Sequence, residues 1–174
     1  MRDLKRVIEA LLFAHGDPLS LRDLEEVLPE WPKGEIKRAL DELLNDYRQL
    51  GLSFALQEVA GGYQFRTLPE YAQWIRRLRK VTPIKLSRAA LETLAIVAYR
   101  QPVSRGEIEE IRGVDSGWVI GSLMEKGLIK PVGRKEAPGR PLLYGTTEKF
   151  LRVFGLKSLK DLPSLRELRS LKGS

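Results

Sequence analysis

The sequence predicts a mainly α fold of the α+β class, in which three helices and a two-stranded β-hairpin occur twice in tandem. Three observations carry this. A pattern beginning at Ala14 returns without gaps at Ala98, 84 residues further on. Each copy is followed by an amphipathic run that stops at Gly-Leu, first at Gly51-Leu52 and then at Gly127-Leu128. After each stop come two short segments of strand-like composition, separated by a glycine-bearing turn.

The two copies run through residues 14–27 and 98–111. Ala14, Pro18, Ser20, Glu25 and Glu26 recur unchanged as Ala98, Pro102, Ser104, Glu109 and Glu110. A helix is expected to end near His15-Gly16, and again near Arg100-Gln101. Proline then holds the chain extended. Ser20 and Ser104 stand where an N-cap belongs, with a hydroxyl free to accept a backbone N–H. Asp23 and Glu107 follow three residues on, as in a capping box. Leu24 and Val27, and likewise Ile108 and Ile111, form the stripe expected to face the core. The paired carboxylates of Glu25-Glu26 and Glu109-Glu110 read as the solvated face of a short helix.

A third helix is expected over residues 33–50, with Ile36, Leu40, Leu43, Leu44 and Tyr47 at helical spacing, and over 115–126, with Trp118, Val119, Leu123 and Met124. Glycine just past the last turn is the usual stop. The first hairpin pairs residues 53–59 with 63–67, and the second pairs 128–135 with 141–146. Pro138-Gly139 gives the second turn a type II geometry, because glycine supplies the positive φ. A closing helix follows each hairpin. Residues 70–80 carry Tyr71, Trp74, Ile75 and Leu78 on one face, and residues 147–154 carry Phe150, Leu151 and Phe154. Between the copies, residues 81–86 form a linker stiffened by Pro83. Ser87 caps the next helix, whose stripe is expected to be Leu91, Leu94, Ala95 and Ala98.

Three helices closed by a hairpin make a winged helix, a variant of the helix-turn-helix. The chain thus reads as two tandem winged-helix domains, at residues 1–80 and 87–163, with a tail at 164–174. In the tail Ser164 and Glu167 make another capping box, and Leu165, Leu168 and Leu171 recur every third residue.

Composition narrows the function. The chain has no cysteine and one histidine, His15. Disulfides, thiolate metal sites and cysteine nucleophiles are therefore excluded. A Ser-His-Asp triad has only His15 to use, and that residue sits at a helix end, where a cation is favourable. No catalytic, cofactor-binding or metal-binding residue is assigned, and no cofactor is expected. No apolar run approaches membrane-spanning length, and charges follow Met1 at once, so a cytoplasmic protein is expected.

The 30 Lys and Arg exceed the 23 Asp and Glu, for a net charge of +7. Residues 1–80 are neutral, with 13 charges of each sign, so the excess lies in residues 81–174. Such a basic half suits an acidic partner, protein or nucleic acid, or serves solubility alone. A base-reading helix needs exposed Arg, Lys, Asn or Gln. The second third helix has only Lys126, at its far end, and opens with Asp115, which repels phosphate. The first balances Lys33, Lys37, Arg38 and Arg48 against Glu35, Asp41, Glu42 and Asp46. Arg134, Lys135 and Arg140 near the second wing tip suit weak, sequence-independent phosphate contact, a protein contact, or a solvated surface. Trp118, Val119, Ile120, Leu123 and Met124 cover more of their helix than one core stripe needs. Gly117 and Gly121 leave a smooth strip beside them, which fits docking to a protein better than docking to DNA.

The second half also carries a set of motifs: Arg112-Gly113-Val114-Asp115-Ser116, Gly127-Leu128-Ile129, Gly133-Arg134-Lys135 with Pro138-Gly139-Arg140-Pro141, Leu143-Tyr144-Gly145-Thr146-Thr147, and Phe154-Gly155-Leu156-Lys157-Ser158-Leu159 with Asp161-Leu162-Pro163. In these it resembles the bacterial segregation and condensation protein B family, ScpB. The first half resembles it through Ile8-Glu9-Ala10-Leu11-Leu12-Phe13 and Pro18-Leu19-Ser20. Asp115 departs from the asparagine expected there. The resemblance implies a non-enzymatic accessory subunit of the bacterial SMC condensin complex. It implies a homodimer formed through the first domain, binding the kleisin ScpA and through it SMC, in chromosome condensation and segregation on the nucleoid. Tyr71, Trp74 and Ile75 are the candidates for dimerisation. Trp118, Val119, Arg134, Lys135 and Arg140 are the candidates for kleisin binding. DNA contact is expected to be weak and non-specific at most, and no membrane contact is expected. A winged-helix transcriptional regulator is the alternative, and a helix-docking scaffold for some other protein is a third reading.

Overall fold

The computed structural model describes residues 3–79, 85–164 and 167. The chain divides into two compact units, one made of Met1–Pro83 with Gly155–Ser174, the other of Ile84–Phe154.

The first unit contains α1 (Leu4–His15), α2 (Leu21–Val27), α3 (Lys33–Gln49), β1 (Phe54–Val59), β2 (Gly62–Thr67), a 3-10 turn (Pro69–Tyr71) and α4 (Ala72–Arg79). Asp3 caps α1 by accepting the Lys5 N–H at 3.1 Å, and Gly16 stops it at φ +75°. At the head of α2 the Asp23 N–H donates to the Ser20 hydroxyl, and the Ser20 N–H donates back to the Asp23 carboxylate at 2.9 Å. β1 and β2 pair antiparallel from Val59↔Gly62 to Phe54↔Thr67. Leu19, just before the capping serine, exchanges two backbone bonds with Tyr63, at 3.0 and 2.9 Å. This joins the turn between α1 and α2 to the hairpin. Ile8 and Leu12 of α1, Leu24 of α2, and Ile36, Leu40 and Leu43 of α3 meet Leu56 and Tyr63 in the core. Each such side chain contributes about 1.5–3 kcal/mol by leaving water.

The second unit repeats the plan with α5 (Arg88–Arg100), β3 (Val103–Ser104), α6 (Arg105–Arg112), α7 (Gly117–Glu125), β4 (Ile129–Arg134), β5 (Leu142–Thr146) and α8 (Glu148–Phe154). Its antiparallel sheet has the order β3-β5-β4. Val103 pairs with Tyr144 as Leu19 pairs with Tyr63. Ser104 and Glu107 form the second capping box. At the wing tip the Arg140 N–H donates to the Ala137 carbonyl at 2.8 Å, with Gly139 at φ +79°. Both units are therefore winged helices, as the sequence predicts.

Several expectations need correction. The 84-residue register holds from Pro18 onward but not through the helix before it: Ala14 is exposed where Ala98 is buried. The core stripe of α5 is Ala90, Thr93, Leu94, Val97 and Ala98, so Leu91 and Ala95 point outward. Thr93 takes a core position because its hydroxyl donates to the Ala89 carbonyl at 2.9 Å, which satisfies it without water. On α2 and α6 only Leu24 and Ile108 are buried; Val27 and Ile111 are exposed. The first closing helix starts as a 3-10 turn, Pro69–Tyr71, with Pro69 at its first position, where a missing N–H costs nothing.

At its C-terminal side the second unit ends with α8. Gly155 stops that helix at φ +66°, and residues 155–163, read from the sequence as part of the second domain, pack with the first unit. The Ser164 N–H donates to the Glu167 carboxylate at 2.6 Å, and the Glu167 N–H donates to the Ser164 hydroxyl. Leu165, Leu168 and Leu171 lie outside the described residues, as do Pro83 and the rest of the linker at 81–84.

A Cβ built on Gly62 would lie 2.9–3.0 Å from the Leu19 backbone. Gly62→Ala is therefore expected to destabilise the first unit by about 1–3 kcal/mol, because backbone must move to admit it. Gly34→Ala, on the open side of α3 with nothing within 4 Å, is expected to be neutral or stabilising. Denaturant unfolding of the two variants checks both.

Candidate partner-binding surfaces

The first candidate surface is α4. Tyr71, Trp74, Ile75 and Leu78 recur at i, i+3, i+4 and i+7 and so share one face. None is buried: Trp74 is 54% and Leu78 83% exposed, and Ile75 is half-buried. The Tyr71 and Trp74 rings lie 6.3 Å apart between centroids. Arg76, Arg77 and Arg79 occupy the last turn, where cations favour the helix C-terminus. An amphipathic helix with its apolar face in water has no local reason to stay so; a partner covering that face supplies one.

The second surface is α7. Trp118 is 78% exposed, whereas Val119 is a core residue at 9%, packed inward with Ile120 and Leu123. Val119 is therefore corrected from surface contact to core. The reason is helical phase, since the core stripe runs Val119, Ile120, Leu123 and leaves Trp118 outside. Nor is the glycine strip smooth. A Cβ on Gly117 would stand 2.7 Å from the Arg105 guanidinium, which covers it, while Gly121 faces open space.

The turn between α6 and α7 is held by a polar network that sequence reasoning missed. Arg105 Nε donates to Glu109 Oε1 at 2.7 Å, and the same guanidinium pairs with Asp115. Glu109 Oε1 accepts the Ser116 N–H at 2.9 Å, and the Ser116 hydroxyl accepts from the nearly buried Arg112 at 2.8 Å. The Ser116 amide and then Arg105 hold the Glu109 carboxyl below the usual carboxylate range. Asp115 Oδ1 also accepts the Gly117 N–H at 3.1 Å, so it serves the start of α7. Ile111 and Val114, beside this turn, are exposed as well. The sequence offered one signal for the network, the acid-base alternation of Arg105, Glu109, Arg112 and Asp115.

On the second wing two of the three predicted cations are engaged internally. Arg134 Nη1 donates to the Arg140 carbonyl at 3.0 Å, bracing the turn. Lys135 Nζ donates to Glu107 Oε1 at 2.7 Å, tying the wing to the capping box of α6. Lys135, then the Ser104 hydroxyl and amide, hold the Glu107 carboxyl down at about 2. Arg140 sits at φ +41° at the end of the turn. The structure brings Arg134 and Arg140 together and sets Lys135 on the helix-turn-helix.

Because the Glu107 carboxyl is lowered from the usual 4.5 to about 2, its contribution to stability is full above pH 4.5 and fades as pH falls toward 2. Both partners are more than a third exposed, so the contribution is on the order of 1 kcal/mol or less after screening. Glu107→Gln keeps the cap but not the charge. It is expected to flatten the acid limb of unfolding over that pH range, measured by thermal melts of variant and parent.

Among the described residues no helix is long and apolar enough to cross a membrane, and no group of three or more His, Asp or Glu is placed to hold a metal ion. The family model described as segregation and condensation complex subunit ScpB matches residues 6–165. The segregation and condensation protein B of Syntrophotalea carbinolica is 52% identical over 169 residues, covering 97% of this chain and 85% of that one. Its counterpart in Moorella thermoacetica is 49% identical over 166 residues, covering 95% and 85%. Among solved structures, ScpB of Mycobacterium tuberculosis is 34% identical, covers 90% of this chain and 99% of its own, and has a TM-score of 0.41. A dimer of an ScpB N-terminal domain complexed with an ScpA peptide is 37% identical over 42% of this chain and 91% of its own, with a TM-score of 0.38. With its two winged-helix units and a family match spanning nearly its whole length, the chain belongs to the ScpB family of segregation and condensation complex subunits.

Proposed function

We propose that this chain is a non-enzymatic accessory subunit that forms a homodimer and binds ScpA, and through it SMC, in chromosome condensation and segregation on the cytoplasmic nucleoid. Family membership supplies the setting, and ScpA is the partner named for a relative. One observation carries the rest of the reading. At the position where a winged helix reads bases, α7 turns Trp118 outward and opens beside Asp115. That arrangement suits a protein segment better than a phosphate backbone, because the first turn of α7 carries no basic side chain and Arg105 beside it is taken up by Glu109 and Asp115. Trp118, Arg134, Lys135 and Arg140 are proposed for the ScpA side. Tyr71, Trp74 and Ile75 are proposed for the dimer contact, with residues 1–80, the amino-terminal part of the first unit, as the dimerisation domain.

Co-purification with ScpA of the same organism tests the reading; failure of the two to associate at micromolar concentration overturns it. Trp118→Ala is expected to weaken ScpA binding at least about tenfold while leaving the dimer intact. Trp74→Ala is expected to weaken the dimer by a similar or larger factor, read by light scattering across a dilution series. Binding to duplex DNA is expected to be weak and to vanish as salt is raised. Tight, sequence-selective DNA binding at physiological salt is the result that favours a regulator instead.

A further inference from the structure

One motif remains without a role: Gly155-Leu156-Lys157-Ser158-Leu159 with Asp161. The chain leaves α8 at Gly155 and runs to the tip of the first hairpin. There the Ala60 N–H donates to the Leu156 carbonyl and the Gly61 N–H to the Lys157 carbonyl, both at 2.9 Å. These two amides belong to the tight turn between β1 and β2, where Ala60 and Gly61 sit at φ +50° and +75°. A free turn of this kind leaves such donors to water. Here they are taken in cis by a segment about 95 residues downstream.

The segment is shaped for that task. Asp161 accepts the Lys157 and Ser158 N–H groups at 2.8 and 3.0 Å, and the Asp161 N–H donates back to the Ser158 carbonyl. This folds residues 157–161 into a closed turn, so the Leu156 and Lys157 carbonyls are presented together. Lys157 Nζ pairs with Glu58 Oε2 of β1 at 3.1 Å, fixing the register. A crevice of about 450 Å³ lies alongside, with Leu44, Arg48 and Leu56 on one wall and Gly155, Lys157 and Asp161 on the other. None of residues 155–163 is buried, and the lysine of the Lys157–Glu58 pair is more than half exposed. A surface segment without buried side chains is the kind of part that opens without the unit unfolding.

The geometry points to residues 155–163 being a releasable latch on the wing of the first unit. The first unit is thus completed by chain that follows the second, and opening the latch frees the turn amides and widens the crevice beside β1.

Amide hydrogen exchange on the full-length protein tests this. In the parent protein Ala60 and Gly61 are expected to exchange on the order of tenfold more slowly than exposed turn amides. In the full-length variant Lys157→Ala with Asp161→Ala, that protection is expected to fall while amides of α1 and α3 keep theirs. Exchange of Ala60 and Gly61 at free-turn rates in the parent overturns the latch. So does protection that persists unchanged in the variant. Loss of protection throughout the first unit, equal in α1, α3 and the turn, also overturns it, because the segment is then part of the core structure rather than a releasable strap. The single variant Lys157→Ala, which leaves the Asp161 turn in place, is expected to give an intermediate effect confined to the same two amides.

Discussion

Ser20 and Ser104 stand at the junction from which each unit is organised. The residue before each serine bonds to the wing, Leu19 to Tyr63 and Val103 to Tyr144. The serine itself starts the second helix through its capping box with Asp23 or Glu107. Two adjacent residues thus fix a strand contact and a helix start, and the angle between wing and helix-turn-helix follows from them. The burial of Leu24 and Ile108 one turn later depends on that start, as does the close approach of Gly62 to Leu19. In the second unit the same box takes on a further load, because Glu107 also receives Lys135 from the wing.

Much of this was legible in the sequence because it is local. A serine with an acid three residues on, a Gly-Leu stop and a Pro-Gly turn each act over a few residues, and each forms where expected. Periodicity was less decisive wherever a helix is apolar on more than one side. In α5, leucine and alanine occur so often that the Leu91, Leu94, Ala95, Ala98 stripe and the true one differ by a small rotation. The buried Thr93 hides the answer by being polar. Trp118 and Val119 show the same ambiguity, settled by which neighbour completes a stripe with Leu123. The return of residues 155–163 to the first unit was not legible, because the bonds to Ala60 and Gly61 are made by backbone amides, which leave no mark in side-chain composition, and a lone Lys157–Glu58 pair across 99 residues gives no local pattern.

The charge balance also changes meaning once contacts are known. The basic excess of the second half invites a reading in terms of nucleic acid. Yet Lys135 serves Glu107, Arg134 serves the wing turn, Arg105 serves Glu109 and Asp115, and Arg112 serves Ser116. These cations shape the unit before they can face any partner. What the two units offer instead is apolar: an aromatic on α7 and a whole helix face on α4. Such surfaces gain most from a partner that excludes water, which chain-to-chain association does and a hydrated groove does less well.

The discontinuity of the first unit bears on how the molecule comes into being. Ribosomes deliver the chain from the amino terminus at about 5–20 residues per second. Helices α1 to α3 and their hairpin therefore emerge and collapse while the residues that finish the wing are still unmade. The intervening eighty or so residues take roughly 4–16 seconds to follow at that pace. During that interval the first hairpin presents its turn to solvent uncapped, and assembly with another chain during synthesis would meet the protein in that incomplete form.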